Sequence, residues 1–156
     1  FLLPERPEVP GIDQCFYDKG LRFGCTRCSS CCRHTPGYVF LSARDLRSLS
    51  AALGLPEADV RSRYCREVAL GVATRLSLKE KPNLDCIFWD GGGCSVYAAR
   101  PLQCRSFPFW SSNLSSRENW QDQAAACPGI GKGRLHGKAR IQRWLARRVA
   151  DPLLGE

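Results

Sequence analysis

The sequence predicts a small, helix-rich α+β single domain with a short antiparallel hairpin, organised around its cysteines. Three observations carry this reading. At 156 residues the chain has the length of one domain. Amphipathic helical segments with legible caps alternate with short strand-like stretches. Ten cysteines, far above ordinary usage, are gathered in Cys25-x-x-Cys28-x-x-Cys31-Cys32 and then recur singly.

The elements follow in order. Pro4, Pro7 and Pro10 mark an irregular start. The cysteine run is short and polar and reads as tight turns, and residues 37–41 read as a brief strand. Ser42 is a good N-cap, Asp45 completes a capping box, and Leu46, Leu49 and Leu53 recur at helical spacing before Gly54. A second helix is expected from Pro56, with Val60, Tyr64 and Val68 on one face and Cys65 beside them as a buried apolar thiol. Residues 73–79 alternate as a strand does. Residues 86–89 and 94–97, around the turn Asp90-Gly91-Gly92-Gly93, predict the hairpin, with Cys86 and Cys94 on its two arms. Arg100-Pro101 opens a short helical turn carrying Cys104. Residues 111–119 read as a polar surface loop, and residues 120–126 as a helical turn running into Cys127-Pro128-Gly129. A basic amphipathic helix is expected over residues 135–149, with Ile141, Leu145 and Val149 as its stripe and Trp144 beside it.

The cysteine spacing carries chemistry. Thiolates are soft ligands that select zinc, copper(I) or iron–sulfur clusters. Cys25, Cys28 and Cys31, each two residues from the next, present three thiols to one centre, as a ferredoxin loop does, with a fourth arriving from far along the chain. Zinc ribbons more often pair two Cys-x-x-Cys knuckles, and no second knuckle is present. The spacing favours an iron–sulfur cluster of the 4Fe-4S type, with zinc as the alternative. Neighbouring side chains diverge, so one of Cys31 and Cys32 faces a second metal or a bridging position, or lies outside the shell. With Cys86, Cys94, Cys104 and Cys127 the set reaches eight thiols, enough for two four-thiolate sites, one polynuclear centre, or one cluster with spare thiols. Disulfides fit less well, because thiols so closely spaced pair poorly with one another. A reduced, cytoplasmic setting is the expectation.

Other residues are weaker candidates. His34 reads as a solvated or capping residue. Arg105 stands beside Cys104, where it would stabilise thiolate charge or simply face solvent. Phe107, Phe109 and Trp110 would shield a cluster or fill the core, and Asp85 and Asp90 serve the hairpin turn. The formal charge is +8, and metal-bound thiolates would cancel much of it. Arg134, Lys138, Arg140, Arg143, Arg147 and Arg148 give the last helix a basic face that suits an acidic protein partner or RNA. No apolar run has the length of a bilayer span, so no membrane partner is expected. No Ser-His-Asp arrangement, phosphate loop or Gly-x-Gly-x-x-Gly element is present. The chain therefore divides into an arm over residues 1–24, a cysteine-cluster metal-binding domain over 25–133, and a basic helix over 134–156 packed on that domain.

Cys25-x-x-Cys28-x-x-Cys31-Cys32, Cys86, Cys94, Arg100-Pro101-Leu102-Gln103-Cys104-Arg105-Ser106-Phe107-Pro108 and Cys127-Pro128-Gly129-Ile130-Gly131-Lys132-Gly133 together resemble the YkgJ-type cysteine-cluster family, a CxxCxxCC domain described as chelating zinc or iron. The resemblance runs from about Gly24 to Gly133. It implies that Cys25, Cys28, Cys31, Cys32, Cys86, Cys94, Cys104 and Cys127 form one ligand set, with Cys15 and Cys65 outside it. A related cluster in flagellin lysine methylases, regarded as iron–sulfur proteins, adds weight to iron. The expected role is redox, sensing or cluster assembly. The alternatives are a structural zinc module that meets RNA or an acidic partner, and a metal-dependent component of a protein-modifying enzyme.

Overall fold

The computed structural model describes residues 15–155. The predicted arm therefore lies, for residues 1–14, outside the described residues, and residues 15–24 lead into the first strand. Among the described residues, five helices combine with three two-stranded antiparallel sheets, an α+β architecture.

The first half of the chain is built on a capped helix. Ser42 accepts the Asp45 N–H at 3.1 Å, and Asp45 Oδ2 accepts the Ser42 N–H at 3.1 Å, so α1 (Ala43–Leu53) starts on a closed capping box and stops at Gly54 in the left-handed region. Leu46 and Leu49 are buried on its inner face. The helix α2 (Glu57–Tyr64) adds Val60. Fully burying such side chains contributes about 1.5–3 kcal/mol each.

Here the expected continuation of α2 through Val68 fails. Helical spacing does link Val60, Tyr64 and Val68, but the chain leaves the helix at Cys65. Residues Cys65–Leu70 (β2) pair with Ala73–Leu78 (β3) in a hairpin from Cys65↔Leu78 to Leu70↔Ala73. Backbone pairing along six residues outweighs a periodicity that only one well-buried helical residue, Val60, supports. The brief strand expected over residues 37–41 is an extended segment instead. It runs beside β3, with Leu78 N–H bonded to Val39 O and Leu41 N–H to Leu76 O, both at 3.0 Å.

The predicted cysteine hairpin is present in shortened form, as β4 (Trp89–Asp90) and β5 (Gly93–Cys94). Cys94 lies on one arm. Cys86 lies before the other, in a bridge with Glu80. The short helix α3 (Leu102–Ser106) carries Cys104, as expected. Residues 111–119 are not wholly surface: Asn113 and Leu114 are buried, and Ser116 caps α4 (Arg117–Ala126) by accepting the Asn119 N–H. The last helix begins later than its pattern suggested, because Arg134–His136 forms β6, paired with β1 (Leu21–Phe23). The helix α5 is Lys138–Ala150. Ile141 is its buried anchor, while Val149, placed on the stripe by its spacing, is exposed.

Two apolar clusters result. The first gathers α1, α2, β2 and β3 with Phe88 and Val96, and Cys86 and Cys94 pack against it. The second gathers Tyr17, Leu21, Phe109, Leu114, Trp120, Ile130 and Ile141, with Cys127 against it. The predicted ligand residues thus sit on both sides of the boundary between the two.

Cys65 belongs to the first cluster and is 5% exposed. Burial, only partly opposed by Arg61 and Lys79, pushes its thiol up from 9.0 to about 11. The folded chain then holds a proton that the unfolded chain releases between pH 9 and 11, so stability falls across that window. Urea unfolding should show Cys65→Ala losing less stability than the parent between pH 8.5 and pH 10.5, by roughly 2 kcal/mol. An identical alkaline loss in both proteins would contradict the assignment.

Candidate metal centre

The loop that carries Cys25, Cys28, Cys31 and Cys32 has little regular structure. Arg27, Ser29 and His34 adopt φ of 55°, 63° and 68°, and Ser30–Cys32 forms one 3-10 turn. Left-handed steps at non-glycine residues each cost of order 1 kcal/mol, and they coil the backbone tightly. Arg27 N–H donates to Cys25 Sγ at 3.4 Å. Cys28 Sγ and Ser30 Oγ share a hydrogen bond at 3.4 Å, and that hydroxyl, donating to the thiolate, holds Cys28 below its ordinary value. Cys31 and Cys32 Sγ lie 3.8 Å apart. Their contact lowers Cys31 and raises Cys32, so one proton is shared and Cys31 ionises first.

The distal thiols face this loop from the interior. Burial is the chief cause that pushes Cys104 well up, and Cys86, Cys31 and Cys94 add to it, with Arg100 opposing. Cys32 is also raised by Cys104 and Cys86, and Cys86 by burial and then Cys94. Cys127 is raised by burial, and then by Cys28 and Cys31. Seven of the eight predicted residues therefore share one electrostatic neighbourhood. Cys25 is exposed and connects to it through the chain and the Arg27 N–H. All ten cysteines are free thiols. Among the described residues, no three His, Cys, Asp or Glu side chains are gathered closely enough to form a ready-made single-ion site. Eight candidate thiols outnumber the four of one tetrahedral shell.

Side chains that spacing alone did not single out hold this neighbourhood together. Cys86 N–H donates to Cys32 O at 2.7 Å. Beside that bond, Arg33 pairs with the buried Asp85 at 3.2 Å and lies 3.8 Å over the Trp89 ring. Asp85 therefore ties the loop to the hairpin, a larger role than the turn expected of it. Asp90 does serve the turn, accepting the Gly92 N–H. Asp45 Oδ1 accepts the Leu102 N–H at 2.8 Å, so the carboxylate that caps α1 also closes the start of α3. Next to Cys104, Gln103 accepts the Phe40 N–H at 3.0 Å and donates to Tyr38 O at 2.7 Å. Arg105 faces solvent. The cation near the thiols is Arg100, bonded to Tyr97 O and stacked on its ring at 3.6 Å. His34 is exposed, as expected. Phe109 is core, stacked on Trp120, and Phe107 meets Phe23 edge-on.

Glycines close the base of the loop. Gly24 N–H donates to Gly129 O at 3.1 Å, and Gly131 N–H donates to Arg22 O at 2.9 Å. A Cβ on Gly129 would stand 2.2 Å from Gly24 O. Gly133, at φ +73°, would place one 2.9 Å from Gly24 Cα. The Gly-x-Gly-x-Gly run after Cys127 is thus a backbone clamp on the residue before Cys25.

The donor chemistry fits a thiophilic metal. Every candidate ligand is sulfur, and Asp85, the nearest buried carboxylate in the chain, is already held by Arg33. Trp89, paired across the hairpin with Cys94, has a buried Nε1 without a hydrogen-bond partner, a donor suited to a sulfur acceptor.

Two outcomes follow from these supports. Gly129→Ala should destabilise the fold by about 2–4 kcal/mol in chemical denaturation and lower bound metal, because backbone must move. Wild-type stability would show that the clamp is not as close as described. In a double-mutant cycle, Arg33→Ala and Asp85→Ala should couple by about 1–2 kcal/mol, since the carboxylate is buried and only partly compensated by Asn83. Additive losses would remove the pair as a link between loop and hairpin.

No solved structure matches the chain. A family match covers residues 24–128, well over half of the length, and spans every cysteine of the loop, the hairpin, α3 and Cys127. The chain belongs to the CxxCxxCC family, for which zinc or iron chelation is the proposed role.

Proposed function

We propose that the chain is a cysteine-ligated metal protein whose centre is an iron–sulfur cluster, with a redox, sensing or cluster-assembly role. The observation that carries this is the thiol set itself: an all-sulfur neighbourhood, drawn from five chain segments, with more thiols than one ion's shell takes. Sulfide-bridged iron suits such a spread, and three thiols from one loop plus a distal one is the ferredoxin manner of holding it. When bound, such a cluster supplies one-electron chemistry. Cys104 and Cys86 form the half-buried side, and Cys25, Cys28 and Cys31 form the exposed side. Arg100 offsets thiolate charge, while the Arg33–Asp85 pair and the glycine clamp keep the two sides in register.

One observation favours zinc as the second reading. An all-thiolate zinc centre also needs only sulfur donors, and the family description names zinc beside iron.

The test is anaerobic purification followed by metal and acid-labile sulfide analysis. Iron with sulfide in comparable amounts is the expected result. Stoichiometric zinc without sulfide, in protein never exposed to air, would overturn the iron reading. Cys104→Ser should lower metal content several-fold and Cys25→Ser by a smaller factor, whereas Cys65→Ser should leave it unchanged. Equal losses from all three would defeat the ligand assignment.

A further inference from the structure

The helix α5 carries a second chemistry, apart from the thiols. Arg140, Arg143, Trp144 and Arg147 stand at i, i+3, i+4 and i+7, on one helical face, and line one groove. The Arg147 guanidinium lies 4.9 Å from the centre of the Trp144 ring. Trp144 packs partly against the second apolar cluster and partly lines the groove.

Several other cations of the chain are used within the fold. Lys138 pairs with Asp18, Arg148 donates to Asp151 O, Arg33 pairs with Asp85 and Arg66 with Glu80. Among the described residues, no carboxylate pairs with Arg140, Arg143 or Arg147. Arg140 Nε is buried and lacks a hydrogen-bond acceptor.

The spacing says what kind. At 1.5 Å per residue, the three guanidiniums are spread over about 10 Å of helix axis, which suits a linear polyanion rather than one compact anion. Carboxylates of an acidic peptide would engage only the arginines, while the indole and the Arg147 guanidinium over it form a surface on which bases stack. In a duplex the base faces are stacked away. An unpaired strand offers both phosphates and free base faces.

We propose that this face of α5 binds single-stranded nucleic acid, with Arg140, Arg143 and Arg147 on phosphates and Trp144 against a base. The test uses the metal-loaded full chain and fluorescein-labelled U12 and dT12, read by anisotropy between 50 and 200 mM NaCl. Three phosphate contacts predict a slope of log K against log salt of about −2, or roughly 20-fold weaker binding over that range. The pair Arg143→Gln/Arg147→Gln should cut affinity at least tenfold at 50 mM salt and bring the slope to about −0.7, with metal content unchanged. The exposed α1 pair Arg44→Gln/Arg47→Gln should do neither. Trp144→Leu, with its fold checked by circular dichroism, should weaken U12 and dT12 while leaving inorganic polyphosphate binding as it was. Equal losses from the α1 pair would make the binding diffuse charge attraction and overturn the proposal. Equal affinity for a blunt duplex, displacement of U12 by polyglutamate at matched charge, or no binding at 50 mM salt would overturn it as well.

Discussion

One buried carboxylate joins what the rest of the structure needs joined. Asp45 closes the N-terminus of α1 with one oxygen and the N-terminus of α3 with the other, across 57 residues of sequence. A helix start presents unpaired N–H groups and partial positive charge, so a carboxylate shared by two of them is satisfied on both sides without a cation. Its position is decisive because α1 belongs to the first apolar cluster and α3 carries Cys104. Without that bond the short α3, five residues long and too brief to hold itself, would have only Gln103 and its own apolar contacts to place the thiol.

The same logic recurs around the cysteines. Four of the thiols stand beside a residue that fixes their segment: Cys32 beside Arg33, Cys86 beside Asp85, Cys104 beside Gln103, and Cys25 beside Gly24. The candidate ligands remain free thiols, while most of the hydrogen bonds, ion pairs and close backbone contacts are made by residues beside them. This separation of tasks lets a soft-metal site be positioned by hard polar interactions that do not compete for the metal.

What the amino-acid order reveals follows from how local each cause is. The Ser42–Asp45 box, the Leu46–Leu49 face and the end at Gly54 involve residues within a turn or two of each other, and they read directly. The second carboxylate oxygen of Asp45 does not, because its partner is far along the chain. Val60, Tyr64 and Val68 mimic a helix, yet the pairing of Cys65–Leu70 with Ala73–Leu78 is a contact between two strands and prevails. Spacing singles out Cys25, Cys28, Cys31 and Cys32, and the family resemblance adds the four later cysteines to the proposed set, whereas the choice between Arg100 and Arg105 was not legible. Residues five apart on either side of a helix start leave it in different directions, and only Arg100 stays near the thiols. The glycines after Cys127 were legible as breaks in regular structure. Their purpose was hidden, since it lies in a backbone more than a hundred residues earlier.

The pairing of β1 with β6 sets an order of events. Leu21–Phe23 stands just before the cysteine loop, and its partner Arg134–His136 follows the last predicted ligand. At 5–20 residues per second, a ribosome would finish the Cys25–Cys32 loop about 5–20 s before it completes Cys127 and the glycine clamp. During that interval the early thiols have neither their distal companions nor the floor beneath Gly24. They meet the cell's metals and small thiols as an open peptide. The base of the loop closes only when the chain returns to its own first strand.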